Sequence, residues 1–186
     1  MYELFILGEL ADKPMHGYLL HSILTSVLGP LRPVSWGSLY PILKRLEDEG
    51  AIEQVVSEES GPGRTKKVYR ITPIGRERFM RLMAKPLEHH VDAEDIFRIK
   101  VSKFHLVELA VRLEILWQYK VFLELLRDGM DLTEKRVQDE PCISGEERPY
   151  ILAAIDYDRV SYDARIQWVE QQISLVTENG QERTKP

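Results

Sequence analysis

The chain has 186 residues, a single cysteine and a formal net charge of −5. That length holds one domain or two small ones with a real core, and one cysteine excludes both an intrachain disulfide and a cysteine-based metal site. No apolar run approaches the roughly 20 residues that span a bilayer, and the opening Met-Tyr-Glu-Leu-Phe-Ile-Leu-Gly has neither a basic region nor a small-residue cleavage site, so a soluble cytoplasmic protein is expected.

Tyr2 to Ala11 is short and apolar, with Leu4, Phe5, Leu7 and Leu10 at helical spacing, and Asp12-Lys13-Pro14 breaks it. A second helix is predicted from about His16 to Leu28, with Leu19, Leu20, Ile23, Leu24 and Val27 facing inward, and Gly29-Pro30 stops it. In a third helix Leu39, Ile42, Leu43 and Leu46 fall at i, i+3, i+4 and i+7, which makes one apolar stripe. This helix should begin near Gly37 or Ser38, because Pro41 sits comfortably only in a first turn. Gly50 should end it. Its other side offers Gly37, Ser38, Tyr40, Pro41, Lys44 and Arg45: small residues, a hydroxyl, a phenol and two cations. Such a face suits a major groove, which admits a helix whose N-terminal residues reach base edges and phosphates. Taken alone, the helix is equally well an ordinary amphipathic one with a solvated face.

Its neighbours decide the matter. Ile52, Val55 and Val56 form one strand-like run and Val68, Tyr69 and Ile71 another, around a Gly61-Pro62-Gly63 turn and a basic tip of Arg64, Thr65, Lys66 and Lys67. Thr72-Pro73 reads as an N-cap with proline at the first helical position, opening a helix through about Met83. Charge follows the same division: residues 1–86 carry a net +2 and residues 87–186 a net −7. No carboxylate lies between Lys13 and Leu46, and none between Ser60 and Arg76. Distribution, not net charge, makes an electrostatic footprint, and these acid-free windows point to an anionic partner.

Three helices, a basic hairpin and a fourth helix describe a winged helix-turn-helix of order α-α-α-β-β-α. Ile6-Leu7-Gly8-Glu9-Leu10, Met15-His16-Gly17-Tyr18, the run from Gly37-Ser38-Leu39-Tyr40-Pro41 to Leu46-Glu47-Asp48-Glu49-Gly50, and Val68-Tyr69-Arg70-Ile71-Thr72 with Gly75 resemble the PadR family of transcriptional regulators. The resemblance is dense from about residue 4 to 80. It implies a DNA-binding regulator, more often a repressor than an activator, and in some relatives one that responds to phenolic acids. Carried onto this sequence with the helix face and wing, it gives His16, Gly17, Tyr18, Trp36, Ser38, Tyr40, Pro41, Lys44, Arg45 and Tyr69, with Arg64, Thr65, Lys66 and Lys67 of the wing, as candidate DNA contacts.

Beyond residue 84 periodicity carries the reading. Asp92 to Lys103 is a short predicted helix. From Leu106 to Met130 apolar residues recur every three or four positions, interrupted by Lys120 and Arg127. Pro141 and Gly145 separate this from a last helix, for which Ser144 and Glu147 fit a capping box, and whose seam from Leu152 to Val176 is interrupted by Arg159. Two such helices pack on each other, on a second subunit, or on both. The expected organisation is thus a mainly α chain: a DNA-binding domain over 1–84, a coiled-coil-like dimerisation domain over 85–180 and a polar tail over 181–186. Leu109, Leu113, Leu116, Ile166, Val169 and Ile173 are the candidate dimerisation residues, and a C-terminal dimerisation domain is what the resemblance to the larger PadR subfamily implies.

Trp117 and Trp168 are candidate walls for a small aromatic effector at the junction with the winged helix, although packing explains them as well. Adjacent His89 and His90 point to different sides of any regular element, so no metal site is expected. No nucleophile–base set or glycine-rich nucleotide loop is present, so neither an enzyme nor a cofactor is expected. The expected partners are an operator in double-stranded DNA, a second copy of the chain and an aromatic effector, with no membrane. A winged-helix adaptor that binds protein instead of DNA is the alternative; it has no need of the basic wing or the acid-free helix.

Overall fold

The computed structural model describes residues 1–29, 34–56 and 67–182, with side chains through residue 178. The chain forms two compact units, Met1–Val107 and Glu108 onward. The first unit runs past residue 84, where the recognisable winged-helix pattern ends, and buried polar contacts hold the added segment to it.

The first unit is built around α1 (Tyr2–Asp12), in which Leu4, Phe5, Ile6, Leu7 and Leu10 are all buried. A helix apolar nearly all round must be surrounded, and α1 touches α2 (Gly17–Leu28), α3 (Trp36–Asp48), β3 (Lys67–Ile71) and α4 (Pro73–Ala84). In α2 the buried positions are Leu20, Leu24 and Leu28; Ile23 and Val27 are half-buried, and Leu19 faces solvent instead of the core. A two-residue strand, β1 (Met15–His16), precedes α2 and pairs antiparallel with β3 through Met15↔Tyr69 and His16↔Val68. β2 (Ile52–Val56) pairs on the other side of β3, from Ile52↔Ile71 to Val56↔Lys67, giving the sheet order β1-β3-β2. The two-residue strand is too short for sequence alternation to reveal.

The α3–β2 and β3–α4 corners interlock. Gly50 ends α3 with φ +71°, a left-handed conformation that glycine adopts without penalty. Thr72 caps α4 as predicted: its Oγ1 accepts from Gly75 N–H at 3.1 Å and donates to the Gly50 carbonyl at 2.6 Å. Gly75 then lies so close to the previous corner that a Cβ there would stand 2.0 Å from the Ala51 carbonyl oxygen.

After α4, α5 (Ala93–Ser102) and a 3-10 turn (Phe104–Leu106) complete the first unit. Lys100 is buried and donates to the carbonyls of Met83 and Lys85 at the end of α4. Lys103 is buried too, and its ammonium pairs with Glu9 and Asp12 of α1, each at 2.8 Å. Its stem fills the groove left by Gly8, where a Cβ would meet Lys103 Cγ at 3.2 Å. Lys100 and Lys103 thus tie 85–107 to the winged helix.

The second unit is an antiparallel hairpin of α6 (Leu109–Asp139) and α7 (Arg148–Glu182). Ile115, Leu116, Tyr119, Leu123, Val137, Ile155, Ile166 and Val169 are its buried residues. The basic residues that interrupt the apolar repeat pair across it: Lys120 with Glu170 at 2.7 Å, Arg127 with Asp163 at 3.9 Å, and Arg159 with Asp131 at 3.2 Å and with Glu134. Hydrogen bonding to Glu170 raises the Lys120 pKa above the usual lysine value. Their stems cover the seam while the charged ends find partners beside it. At the turn, Arg148 donates to the carbonyls of Val137, Gln138, Glu140 and Ile143. The predicted cap is present just before α7, with Ser144 Oγ accepting from Glu147 N–H at 3.1 Å.

Candidate nucleic-acid interface

α3 begins at Trp36, one residue ahead of the expected start near Gly37 or Ser38. Ser35 is its N-cap and its hydroxyl accepts from Ser38 N–H at 3.2 Å, so the helix starts at Trp36 and Pro41 falls in the second turn. The side-chain cap satisfies the Ser38 N–H in the first turn, whereas Pro41 has no N–H to donate to the Gly37 carbonyl. Leu39, Leu43 and Leu46 are fully buried, which turns Gly37, Ser38, Tyr40, Pro41, Lys44 and Arg45 outward. Ser38 Oγ lies 3.0 Å from Ser35 Oγ, so its hydroxyl is shared between the cap and the exposed face.

Beside this face is an open cleft of about 510 Å³, lined by His16, Gly17, Tyr18, Leu19, Trp36, Tyr40, Lys67 and Tyr69. Seven of these eight are among the residues singled out in the sequence, brought together from β1, α2, α3 and β3. Trp36 is fixed by stacking on His21, with ring centroids 4.3 Å apart and planes 9° apart, and Tyr18 stacks on it at 6.2 Å. His21 is itself held by a 2.7 Å hydrogen bond between Nε2 and the Val34 carbonyl. His16 Nδ1 lies 3.2 Å from the Lys67 carbonyl and so locks the α2 entrance to the wing strand.

Tyr69 differs from the others, being only 4% exposed. Burial, together with Tyr40 and Glu47 nearby, pushes its phenol up to about 12. It therefore stays neutral and serves as the hydrogen-bond support of Tyr40, which is half exposed. Lys44 pairs with Asp48 at 2.7 Å, and both are exposed. An ion pair in open solvent is weak, so a phosphate can compete with Asp48 for this ammonium. Arg45 is bound by Glu3 at 2.7 Å, and Glu3 also holds Arg78, which reaches Glu49. Sequence reasoning missed Glu3 because its partners lie far along the chain and no local pattern marks it. Arg64, Thr65 and Lys66 lie outside the described residues.

In the second unit three of the six dimerisation candidates, Leu116, Ile166 and Val169, belong to the hairpin's own core. Leu113 and Ile173 are half-buried and Leu109 is exposed. A second apolar set faces outward: Trp117, Val121, Leu125 and Leu132 on α6, and Tyr150, Tyr157, Val160, Trp168 and Leu175 on α7. Tyr150, Tyr157, Trp168 and Leu175 are spaced seven, eleven and seven residues apart, which returns to one side of a helix. That side is opposite Ile155 and Ile166. Trp117 and Trp168 thus lie on outward faces, with Lys120 Nζ 5.3 Å from the Trp117 ring centre. No helix of the described residues is long and apolar enough to cross a membrane.

Helix α2, the exposed helix α3 and a two-stranded wing flanked by a short third strand define a winged helix-turn-helix protein. Residues 6–81 match the Transcriptional regulator PadR-like family. Transcriptional regulator Rv3488 of Mycobacterium tuberculosis is 40% identical over 74 residues, which are 40% of this chain and 64% of that protein; the chain therefore matches a little under two thirds of its relative's length. Among solved structures, Bacillus subtilis PadR in complex with operator DNA is 19% identical, with 94% of this chain and 98% of that one covered and a TM-score of 0.44. The same protein in complex with p-coumaric acid aligns with a TM-score of 0.40 at the same identity and coverage.

Proposed function

We propose that this chain is a homodimeric transcriptional regulator, acting as a repressor, that binds a palindromic operator in double-stranded DNA and is released by a small aromatic effector such as a phenolic acid. The observation that carries the DNA reading is the convergence of β1, α2, α3 and β3 on one open face. This face presents Tyr18, Trp36, Ser38, Tyr40 and Lys44, and no carboxylate lies in the sequence from Pro14 to Arg45. The N-terminal half of α3 enters the major groove, and Lys67, with Arg64 and Lys66, lies against the neighbouring backbone. The outward stripe on α6 and α7 supports the dimer: nine large apolar residues on two long helices call for a second copy, and a two-fold protein matches a two-fold operator. Trp117 and Trp168 on this unit are the groups available to stack on an aromatic effector. The chain performs no catalysis in this reading and acts in the cytoplasm.

The test is binding to the DNA upstream of its own gene and to a scrambled duplex at two salt concentrations. Lys67→Ala should weaken both and lower the salt slope by about 1. Tyr40→Phe should cost the operator about 1–3 kcal/mol if the phenol reads a base, with little change on scrambled DNA. Equal binding of both variants and the parent would refute the docking, and no binding of either duplex would favour a protein-binding adaptor.

A further inference from the structure

The cleft beside α3 is walled by apolar and aromatic side chains, which contacts to phosphate do not require. Leu19 is 41% exposed and Trp36 40%, and Tyr18 and Tyr40 stand further into solvent around them. A contiguous patch of large apolar side chains marks a binding surface. Nor is the patch loosely held. Trp36 is backed by the His21 ring at 4.3 Å, and His21 is anchored to the Val34 carbonyl at 2.7 Å. A ring fixed before docking loses little freedom when a partner arrives.

The lining is also selective in what it lacks. Among its described residues there is no arginine, asparagine, glutamine or carboxylate, the groups that read guanine, adenine and cytosine by hydrogen bonding. His16 Nδ1 is engaged at 3.2 Å by the Lys67 carbonyl, and Tyr69 is buried behind Tyr40. Lys67 supplies a cation, which in the DNA reading serves the neighbouring backbone. What remains is hydrocarbon and ring surface. Thymine is the base that presents hydrocarbon in the major groove, through its C5 methyl group. Tyr40 belongs both to the cleft and to the outward face of α3, so a groove that receives the helix brings base edges to the cleft.

We propose that the cleft is a thymine-reading subsite, in which Trp36 and Leu19 take the C5 methyl group of one thymine and Tyr18 and Tyr40 flank its base and sugar. Trp36 and Leu19 are then specificity residues, with His21 backing Trp36. The volume of about 510 Å³ exceeds that of a methyl group and leaves room for the base edge and the adjoining deoxyribose. The inference rests on the DNA reading and adds to it the base that one side of α3 selects.

Gel shifts with the fragment upstream of its own gene, amplified with dUTP or with dTTP, test this. Uracil lacks the methyl group and keeps the base pairing. The parent protein should bind the uracil fragment about fourfold more weakly for each methyl group read, while scrambled duplexes of the two kinds should bind alike. Trp36→Ala should bind the two fragments equally. Leu19→Ser, at an exposed position outside the core, should also lose much of the preference, and it decides the matter if Trp36→Ala does not fold. Binding of both fragments by the parent within about twofold, or a thymine preference retained in full by either variant shown by circular dichroism to be folded, would overturn the subsite and leave the DNA reading intact. Failure of the parent to bind the ordinary fragment would overturn the DNA reading itself, and the subsite with it.

Discussion

Replacing Lys103 with methionine tests whether residues 85–107 are part of the winged helix. The lysine is 5% exposed and sits between Glu9, itself 9% exposed, and Asp12. Methionine preserves the stem that packs against Gly8 but leaves the Glu9 carboxylate buried without its partner. Removing one member of a buried pair costs about 3–5 kcal/mol, most of it from the stranded charge. Glu9→Gln combined with Lys103→Met should regain much of that loss, because a neutral amide is cheaper to bury. Urea unfolding of a Trp117→Phe/Trp168→Phe background, in which Trp36 is the remaining tryptophan, reports on the first unit alone. Acid adds a check of sign. Burial tends to raise the Asp12 pKa, but hydrogen bonds to Lys103 and His105 outweigh it and hold the carboxyl below its usual value. Its contribution is complete above the ordinary Asp pKa and is lost as pH falls through the depressed value. The Lys103 variant should therefore lose less stability on acidification than the parent. A change below about 1 kcal/mol in Lys103→Met, the size of an exposed ion pair, would refute the reasoning.

Gly75→Ala should destabilise the first unit by about 3 kcal/mol or more, seen as an earlier Trp36 transition, because its Cβ would overlap the Ala51 carbonyl. Arg148→Ala should cost about 1–3 kcal/mol in the second unit, measured by helical circular dichroism on heating, since the carbonyls it serves lose a charged donor. Val121→Asp with Leu175→Asp should give folded monomers in analytical ultracentrifugation, whereas Ile166→Asp should unfold the hairpin by placing a charge in its own core; the reverse pattern would exchange core and interface.

The sequence made some parts of this architecture legible and hid others for identifiable reasons. The stripe of Leu39, Leu43 and Leu46, the Thr72-Pro73 cap and the paired strands could be read because periodicity and capping are local. The grouping of α5 with the first unit could not be read locally: Lys100 and Lys103 tie it there through contacts that span 15 to 91 residues. In the hairpin, apolar spacing identified both helices but could not apportion their rows. Leu116 and Val169 face inward and Trp117 and Trp168 outward, one residue apart in each helix, so a contact partner and not a period decides between them. The residues of the exposed α3 face were legible as types, but Tyr69 is buried and supports Tyr40 instead of standing on that face.

Pro41 shows most directly how the candidate face is built. A proline in the second turn has no N–H for the Gly37 carbonyl, and glycine two positions into a helix adds backbone entropy to the cost. A helix selected only for stability would carry neither. The Ser35 cap and three fully buried leucines hold the segment helical despite both, and all of these supports lie at its start or on its inner side. What the weak residues gain is access: Gly37, Ser38 and Pro41 keep the outward surface low, so that the backbone and the Tyr40 phenol stand closest to whatever docks there. Local rules broken on one exposed side of a helix and enforced on its buried side mark a surface shaped for a partner.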